Sequence, residues 1–458
     1  MGVSHKNLGI LQRALGQDAG LVAVGGCVRD RLLGRDGGDL DLATPLMPES
    51  VIKRARGSRL AAIRTGLAHG TVTIVVDGCG FEITTFRSDG DYLDGRRPSS
   101  VRLGVSLEED LSRRDFTVNA MALPIEFFDS DDWRPHIIDP FGGLLDLERE
   151  VIRAVGDPLQ RFQEDGLRPY RACRFVAQLG FTIEASTGKA ITQRLEVASG
   201  VAVERVFTEL SKLLTGPYAR AGLASLAEHG LLDLCLPESV PSIGCGQNSH
   251  HAHDVWKHTL EVVGSSPADA AMRWAALLHD VGKPTAKFVD DAGSARFHGH
   301  EAIGVAMALK IFKRLKAPNA LQDEALALIK HHGTRPDGTW TDSACRRFLR
   351  RLAEDGLDWR RWAELQLADQ TGKGLEDEHI PTAHSELCRR VEAIAKTDPV
   401  MNVKALAIDG VTIMGIARRR SGPWIGTLKK YLLEAVTDDP SLNTEESLDR
   451  LVKDWLKL

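Results

Sequence analysis

The run GlyGlyCysValArgAsp…AspLeuAspLeuAlaThr, residues 25–44, constrains this chain more than any other stretch. A short apolar strand at 21–24 runs into Gly25-Gly26, and a second strand, read at 39–43, carries Asp39 and Asp41. Strand side chains alternate between faces, so the two carboxylates point the same way and repel each other. A divalent cation relieves that repulsion, and hard cations such as Mg²⁺ take oxygen ligands and substrate phosphates. The glycine pair lets backbone N–H groups approach a triphosphate with no Cβ in the way. With Arg29 alongside, the run reads as a nucleotidyl-transfer site. A lone Asp-x-Asp is more often an exposed acidic turn, and it is the motifs downstream that decide against that here.

A chain of 458 residues has room for two to four domains. Its net charge of -5 means that any nucleic-acid partner must be held by local basic patches. Seven scattered cysteines form no Cys-x-x-Cys pair, which argues against a zinc knuckle or a disulfide framework and fits a reduced, cytoplasmic setting. The N-terminus lacks an apolar signal core and no window is apolar enough to span a membrane, so no membrane partner is expected. Residues 1–140 mix strand and helix signals, with strands at 71–76 and 81–86 joined by AspGlyCysGly as a hairpin. An aperiodic polar stretch at 87–104 reads as a loop, and from about 141 onward the patterns are helical.

Glu82 on the second hairpin strand can add a third carboxylate to Asp39 and Asp41, to bind metal or deprotonate an attacking hydroxyl; its bland alternative is a surface pair with Arg87. In GluGluAspLeuSerArgArgAspPheThrValAsnAlaMetAla, 108–122, Arg113 and Arg114 can grip triphosphate oxygens. Asp115 and Asn119, four residues apart, are expected on one helical face, where they can hydrogen-bond a ribose edge. In GluAspGlyLeuArgProTyrArgAlaCysArgPhe, 164–175, Asp165, Arg168, Arg171 and Arg174 recur every third residue. On a helix they form a ridge able to meet the edge of a base or phosphates, unless it is simply a salt-bridged solvent face.

These motifs, in this order and with GluArgValPheThrGluLeu following at 204–210, resemble the class II tRNA nucleotidyltransferase/poly(A) polymerase family of the polymerase-beta superfamily. The resemblance covers roughly 15–235. It implies that Asp39 and Asp41 hold the catalytic Mg²⁺, that Gly25, Gly26, Arg29 and Arg114 meet the nucleotide, and that Asp165 and Arg168 read incoming CTP or ATP with Arg171 and Arg174 nearby. It makes tRNA the expected partner. One departure is Pro169 directly after Arg168; since proline is tolerated only in a first helical turn, the helix is expected to begin near 165–168. The segment TyrLeuAspGlyArgArgPro within 87–104 is similar to the family's flexible loop, whose presence argues against an enzyme that adds only CC.

A second constellation lies at 250–369: His258, His279-Asp280 within LeuLeuHisAspValGlyLysPro, His300, His331 and Asp369. Histidine beside aspartate on an apolar helix is metal-ligand chemistry. It resembles an HD domain, a metal-dependent phosphohydrolase fold. The resemblance makes His258, His279, Asp280 and Asp369 core ligands of a divalent transition metal, with His300 and His331 as the extra ligands of two-metal members. Basic clusters at 310–316 and 418–425 offer surfaces for RNA.

The expected fold class is α+β. A nucleotidyltransferase (polymerase-beta-like) mixed sheet with helices at 1–140 precedes an all-α neck at 141–235, an HD-type helical domain at 250–375 and a helical tail at 376–458. The expected function is addition of CMP and AMP to the tRNA 3′ end, either full CCA or A alone. The rivals are a poly(A) polymerase and an RNA-binding metal phosphohydrolase.

Overall fold

The structure, a computed structural model, describes residues 5–35, 40–90, 100–247, 252–334, 340–374, 380–397 and 402–457. Asp39 and the 92–98 part of the expected loop lie outside these residues. The chain forms two compact units, Met1–Pro237 and Glu238–Leu458.

The first unit is built on a six-stranded mixed sheet in the order β3-β4-β5-β2-β1-β8. Its strands are β1 (Val22–Val24), β2 (Leu42–Thr44), β3 (Ala61–Gly66), β4 (Thr71–Val76), β5 (Cys79–Thr85) and, after a small β6–β7 hairpin (Arg87–Asp89, Val101–Leu103), β8 (Ala122–Pro124). β2 and β5 run parallel, and the other pairs are antiparallel. Helices α1 (His5–Leu15), α2 (Gly26–Leu32), α3 (Pro48–Gly57) and α4 (Leu107–Ser112) are interleaved with the strands.

Strand alternation decides the faces. Val72, Ile74 and Val76 of β4 and Phe81 and Ile83 of β5 are buried, as are Leu11 and Leu15 of α1 and Val51 and Ile52 of α3. The hairpin turns on Asp77-Gly78 alone, both with positive φ (48° and 79°), the two-residue Asp-Gly turn that matches strand twist. That is why β5 starts at Cys79, two residues before the sequence pattern placed it.

Two strands carry no clear sequence signal. β3 is a mostly exposed edge strand. β8 sits in the motif read as helix, but residues 115–123 are buried throughout, which erases any period, and only a 3₁₀ turn forms at Thr117–Asn119. The 87–104 stretch likewise contains the β6–β7 pairing.

Helices complete the unit: α5 (Gly143–Glu148), α6 (Pro158–Glu164), α7 (Arg168–Leu179), α8 (Ala185–Gln193), α9 (Leu195–Ser199), α10 (Val203–Leu214), α11 (Ala219–Glu228) and α12 (Leu231–Cys235), with a two-stranded pairing of β9 (Val151–Ile152) and β10 (Thr182–Ile183). Pro169 falls in the first turn of α7, where its missing N–H breaks no bond. α7 ends at Gly180, whose φ of 80° closes the helix in the left-handed region. Val155 shares a core with Val22, Val24 and Ala43, so the sheet and the helices after 141 are packed as one body.

The second unit is helical: α13 (Val255–Ser265), α14 (Ala270–Leu278), α15 (Lys283–Ala286), α16 (His300–Leu315), α17 (Asn319–His331), α18 (Asp342–Glu354), α19 (Trp359–Thr371), α20 (Ile380–Thr397), α21 (Gly410–Ala417), α22 (Trp424–Asp438) and α23 (Glu445–Trp455). A short β11–β12 hairpin (Phe288–Val289, Ala295–Arg296) interrupts it. Asp254 and Asp269 cap α13 and α14 through their side chains, fixing where those helices start. α14 is buried from Ala271 to Leu278 and carries His279 and Asp280 into the interior. Val391 and Ile394 of α20 pack on Cys345 and Leu349 of α18, while Ile413, Leu428, Leu432 and Leu448 form a separate core. Among the described residues no helix is long and apolar enough to cross a membrane.

Candidate functional site

A cleft of about 510 Å³ in the first unit gathers residues up to 180 positions apart in sequence, from Gly25 to Arg205. Gly25, Gly26, Arg29, Asp41, Arg114, Asp115, Asn119, Asp165, Arg168, Arg171 and Arg174 all line it.

β1 delivers the glycines and β2 the aspartate. The Val24 N–H donates to the Asp41 carbonyl at 3.0 Å, which seats Asp41 against the start of α2. Gly25 has φ 78° and ψ −131°, a backbone that side-chain-bearing residues avoid. A Cβ there would also stand 2.6 Å from Arg114 Nη1, so glycine is what lets Arg114 reach the cleft. Cys27 is the one thiol nearby; burial pushes it up to about 11, so it stays protonated and is no nucleophile.

Glu82 is exposed and is not among the cleft-lining side chains. Leu42 and Ile83 are register partners, so Asp41 and Glu82 stand one residue earlier on parallel neighbours, on the opposite face from that buried pair.

The arginines are held by a fixed set of acceptors. Arg29 donates to Asn119 Oδ1 and, through two nitrogens, to Asp30. Arg171 pairs with Asp115, Arg174 with Glu209, and Arg205 with both oxygens of Asp165. Arg168 donates to Glu164 and to the carbonyls of Arg161 and Arg113. Arg113, expected at the triphosphate, is tied to Asp110 and to the Arg87 carbonyl.

Asp115 precedes the 3₁₀ turn and Asn119 ends it, so they share no α-helical face, yet they still meet, Asn119 Nδ2 donating to Asp115 Oδ1 at 3.2 Å. Burial alone would raise the Asp115 carboxyl; Arg171 and the Asn119 hydrogen bond outweigh it and hold the pKa below the usual carboxylate range. The guanidiniums of Arg29, Arg171 and Arg174 lie 5.2, 5.5 and 3.9 Å from the Phe175 ring centroid, so one aromatic ring steadies three cations. Asp165 precedes α7 and does not sit on it, so the expected four-residue ridge is a helix of three arginines preceded by a capping-side aspartate.

Sequence reading missed Arg205, Glu209 and Asp110. The signal for the first two was present in the 204–210 motif, where Arg205 and Glu209 are one helical turn apart.

The second unit holds a different centre. His258, His279 and Asp369 form one cluster, and Asp280, His300 and His332 another, with the ligand-capable atoms of each within 4.8 Å of one another. The imidazole tautomers are fixed by their neighbours. Nδ1 of His258, His279, His300 and His332 faces the carbonyls of Gly372, Ala276, Phe297 and Ile329 at 3.0, 2.8, 2.8 and 2.7 Å. A carbonyl only accepts, so each Nδ1 carries a proton and each Nε2 is turned into the clusters, that of His258 lying 3.0 Å from Asp369 Oδ1 and that of His279 3.1 Å from Asp280 Oδ2. These Nε2 atoms then face one another, 3.3 Å apart for His258 and His279 and 3.2 Å for His300 and His332. Four Nε2 atoms converging with the Asp280 and Asp369 carboxylates supply the donors that a cation would take. The donor set of imidazoles and carboxylates therefore fits a divalent metal.

The expected ligand His331 is corrected to its neighbour. Successive residues at the end of α17 diverge by roughly 100° around the helix axis, so only one of the pair can face Asp280. His332 does, its Nε2 3.5 Å from Asp280 Oδ1, whereas His331 turns away to Asp355 at 2.6 Å and packs on Phe348. Lys283 adds an ion pair to Asp280 at 2.7 Å.

Comparison with known proteins assigns both units. The Poly A polymerase head domain matches residues 21–153, the probable RNA and SrmB-binding site of polymerase A matches 180–241, and the HD domain matches 249–376. A CCA-adding enzyme of Geobacillus thermodenitrificans is 35% identical over 426 residues, covering 93% of this chain and 90% of that protein. The chain belongs to the tRNA nucleotidyltransferase/poly(A) polymerase family. Within this family it is also 35% identical, over 91% of each chain, to an A-adding tRNA nucleotidyltransferase of Deinococcus radiodurans. The Bacillus stearothermophilus CCA-adding enzyme solved with CTP superposes with a TM-score of 0.71 at 30% identity, covering 98% of this chain and 96% of that one.

Proposed function

We propose that this tRNA nucleotidyltransferase extends the tRNA 3′ end from CTP and ATP, and that its cleft between Gly25 and Arg205 is the nucleotide site. The observation that carries the reading is the convergence, in one polar cleft, of Asp41, the Gly25-Gly26 turn and Arg114 with Asp165 and Arg168. In the reaction an RNA 3′-hydroxyl attacks the α-phosphate of the nucleotide and pyrophosphate leaves. Arg114 and the N–H groups at the start of α2 meet the phosphates. Asp165 and Arg168 read the base edge, Asp165 accepting from the exocyclic amino group that cytosine and adenine share and that uracil and guanine replace with oxygen. Asp115 and Asn119 orient the arginines and meet the ribose. Asp39, Asp41 and Glu82 supply the oxygen donors suited to Mg²⁺, whose chemistry when bound is to neutralise charge on the attacking and leaving oxygens.

The test uses tRNAs ending before CCA, after C and after CC, each with one labelled nucleotide. CTP should enter the first two and ATP the third, with a stop after the terminal A. ATP incorporation into the CC-ended tRNA alone narrows the activity to A addition. Long A tails make the enzyme a poly(A) polymerase, and no incorporation refutes the reading. Asp41→Ala should reduce addition to background.

The second unit supports a second activity, metal-dependent phosphohydrolysis at His258, His279, Asp280, His300, His332 and Asp369. A bound transition metal would polarise a phosphate and supply hydroxide at neutral pH. The chain's own part is to present the Nε2 atoms beside Asp280 and Asp369, to hold Asp280 against Lys283 and to shield the centre with the buried α14. Opening of a 2′,3′-cyclic nucleotide by water to the 2′- or 3′-monophosphate, in the presence of added divalent metal, is the measurement.

A further inference from the structure

His332, which takes the place expected for His331, stands where a helix holds its residues least. It is the C-cap of α17, one position beyond the helix proper. The last turn of a helix leaves its carbonyls without partners in the ladder, so a side chain there takes its direction from contacts outside the helix. We propose that Asp355, acting through His331, is a positioning residue that sets the end of α17 and so fixes where His332 presents Nε2 to a metal. The proposal rests on the reading of the histidine centre as a metal site.

The protons come first. His331 Nε2 lies 2.6 Å from Asp355 Oδ2. An ionised carboxylate only accepts, so His331 carries its proton on Nε2, whereas the four histidines of the clusters carry theirs on Nδ1. His331 is thus a donor to protein at the very atom its neighbour turns toward Asp280. Its ring is buried, at 6% exposure, and stands edge-on to Phe348. Water has little access to replace the Asp355 contact from that side.

The place of the acid is the second observation. Asp355 is the C-cap of α18, where the helix dipole disfavours a negative charge. Its partners lie on α17 instead: besides His331, Lys330 Nζ donates to both carboxylate oxygens, at 2.9 and 2.7 Å. The carboxylate is misplaced for its own helix and matched to the end of the neighbouring one.

The flanking helices complete the clamp. Trp362 Nε1 donates to the His331 carbonyl at 3.1 Å, and Gln366 Nε2 donates to the His332 carbonyl. These are carbonyls that the end of α17 leaves open. Trp362, Gln366 and Asp369 follow one another at four and three residues, on one face of α19. The helix that contributes Asp369 to one cluster therefore also holds the backbone of His332 for the other. On the opposite side, a Cβ on Gly333 would collide with the carboxylate of Glu301, the residue after His300. The ends of α16 and α17 that carry His300 and His332 are seated directly against each other.

Co²⁺ titrated into the metal-free full-length protein, followed by calorimetry and visible absorption, tests the assignment. His332→Ala marks the binding step that belongs to its cluster. Asp355→Ala and His331→Ala should each weaken that step about 10–100-fold and leave the step at His258, His279 and Asp369 at its wild-type affinity. The double variant should lose no more than either single one, because both remove the same contact. Asp355→Asn keeps an acceptor for His331 and should restore most of the affinity. Lys330→Ala keeps the pair and should leave the affinity unchanged. An unchanged His332 step in both single variants, or equal weakening of both steps, overturns the proposal. A wild-type protein that takes up no Co²⁺ at the His332 cluster refutes the underlying metal reading instead, which separates the two failures.

Discussion

The cleft of the first unit and the histidine centre of the second both concentrate charged and titratable side chains, but they solve opposite problems. In the cleft the arginines are already matched by Asp30, Asp110, Asp115, Asp165 and Glu209. Cations are stored there in position against acids, some of them shared, and the site is open to a polyanion. In the centre the Nε2 atoms of His258, His279, His300 and His332 converge with the carboxylates of Asp280 and Asp369, a set of donors arranged to receive a cation. A nucleotide site can be rigid before its ligand arrives, because its charges are balanced. A metal site is completed by its ion.

The sharpest way to break the comparison is His279→Ala. It should abolish metal-stimulated phosphohydrolysis and lower metal stoichiometry by elemental analysis, while CTP and ATP addition continues at wild-type rates. Loss of addition in that variant would mean that the two sites do not act separately.

Arg114→Ala should raise the nucleotide KM between about 10-fold and 100-fold, the worth of one charged hydrogen bond to phosphate at about 1.5–3 kcal/mol. A kcat effect without a KM effect would place Arg114 at the leaving group instead of the resting triphosphate.

Asp115→Asn should cost about 3 kcal/mol of stability, because it takes the nearer acid from the Arg171 guanidinium and leaves only Glu209 at 3.8 Å. The native Asp115 carboxyl is held below its ordinary value, so its contribution is fully present above about pH 3.9 and fades as pH falls toward the native pKa. The gap between wild type and Asp115→Asn in urea unfolding should therefore narrow only in acid. A gap constant down to the lowest pH would show that Arg171 finds its partner elsewhere.

Much of both sites was legible in the sequence, for a local reason. Asp41, the Gly25-Gly26 turn and the α7 arginines are set by short-range geometry: two-residue alternation, a turn that needs glycine, a three-residue recurrence. The Asp77-Gly78 hairpin and the start of α7 at Arg168, with Pro169 in its first turn, follow the same logic. What escaped depended on tertiary partners. Arg205 matters because α10 brings it onto Asp165, 40 residues away. β8 hid because total burial leaves no period to read. His331 and His332 are indistinguishable as letters, and only the angle at which α17 ends decides which one meets Asp280.

The backbone at Gly25 has a genetic consequence. Any single-nucleotide change to a glycine codon that alters the amino acid introduces a β-carbon or stops translation. Each missense change here meets two penalties together, a disallowed dihedral pair and a collision with the guanidinium of Arg114. Position 25 should therefore be intolerant in a saturation library even to alanine, with no halfway allele through which drift could proceed.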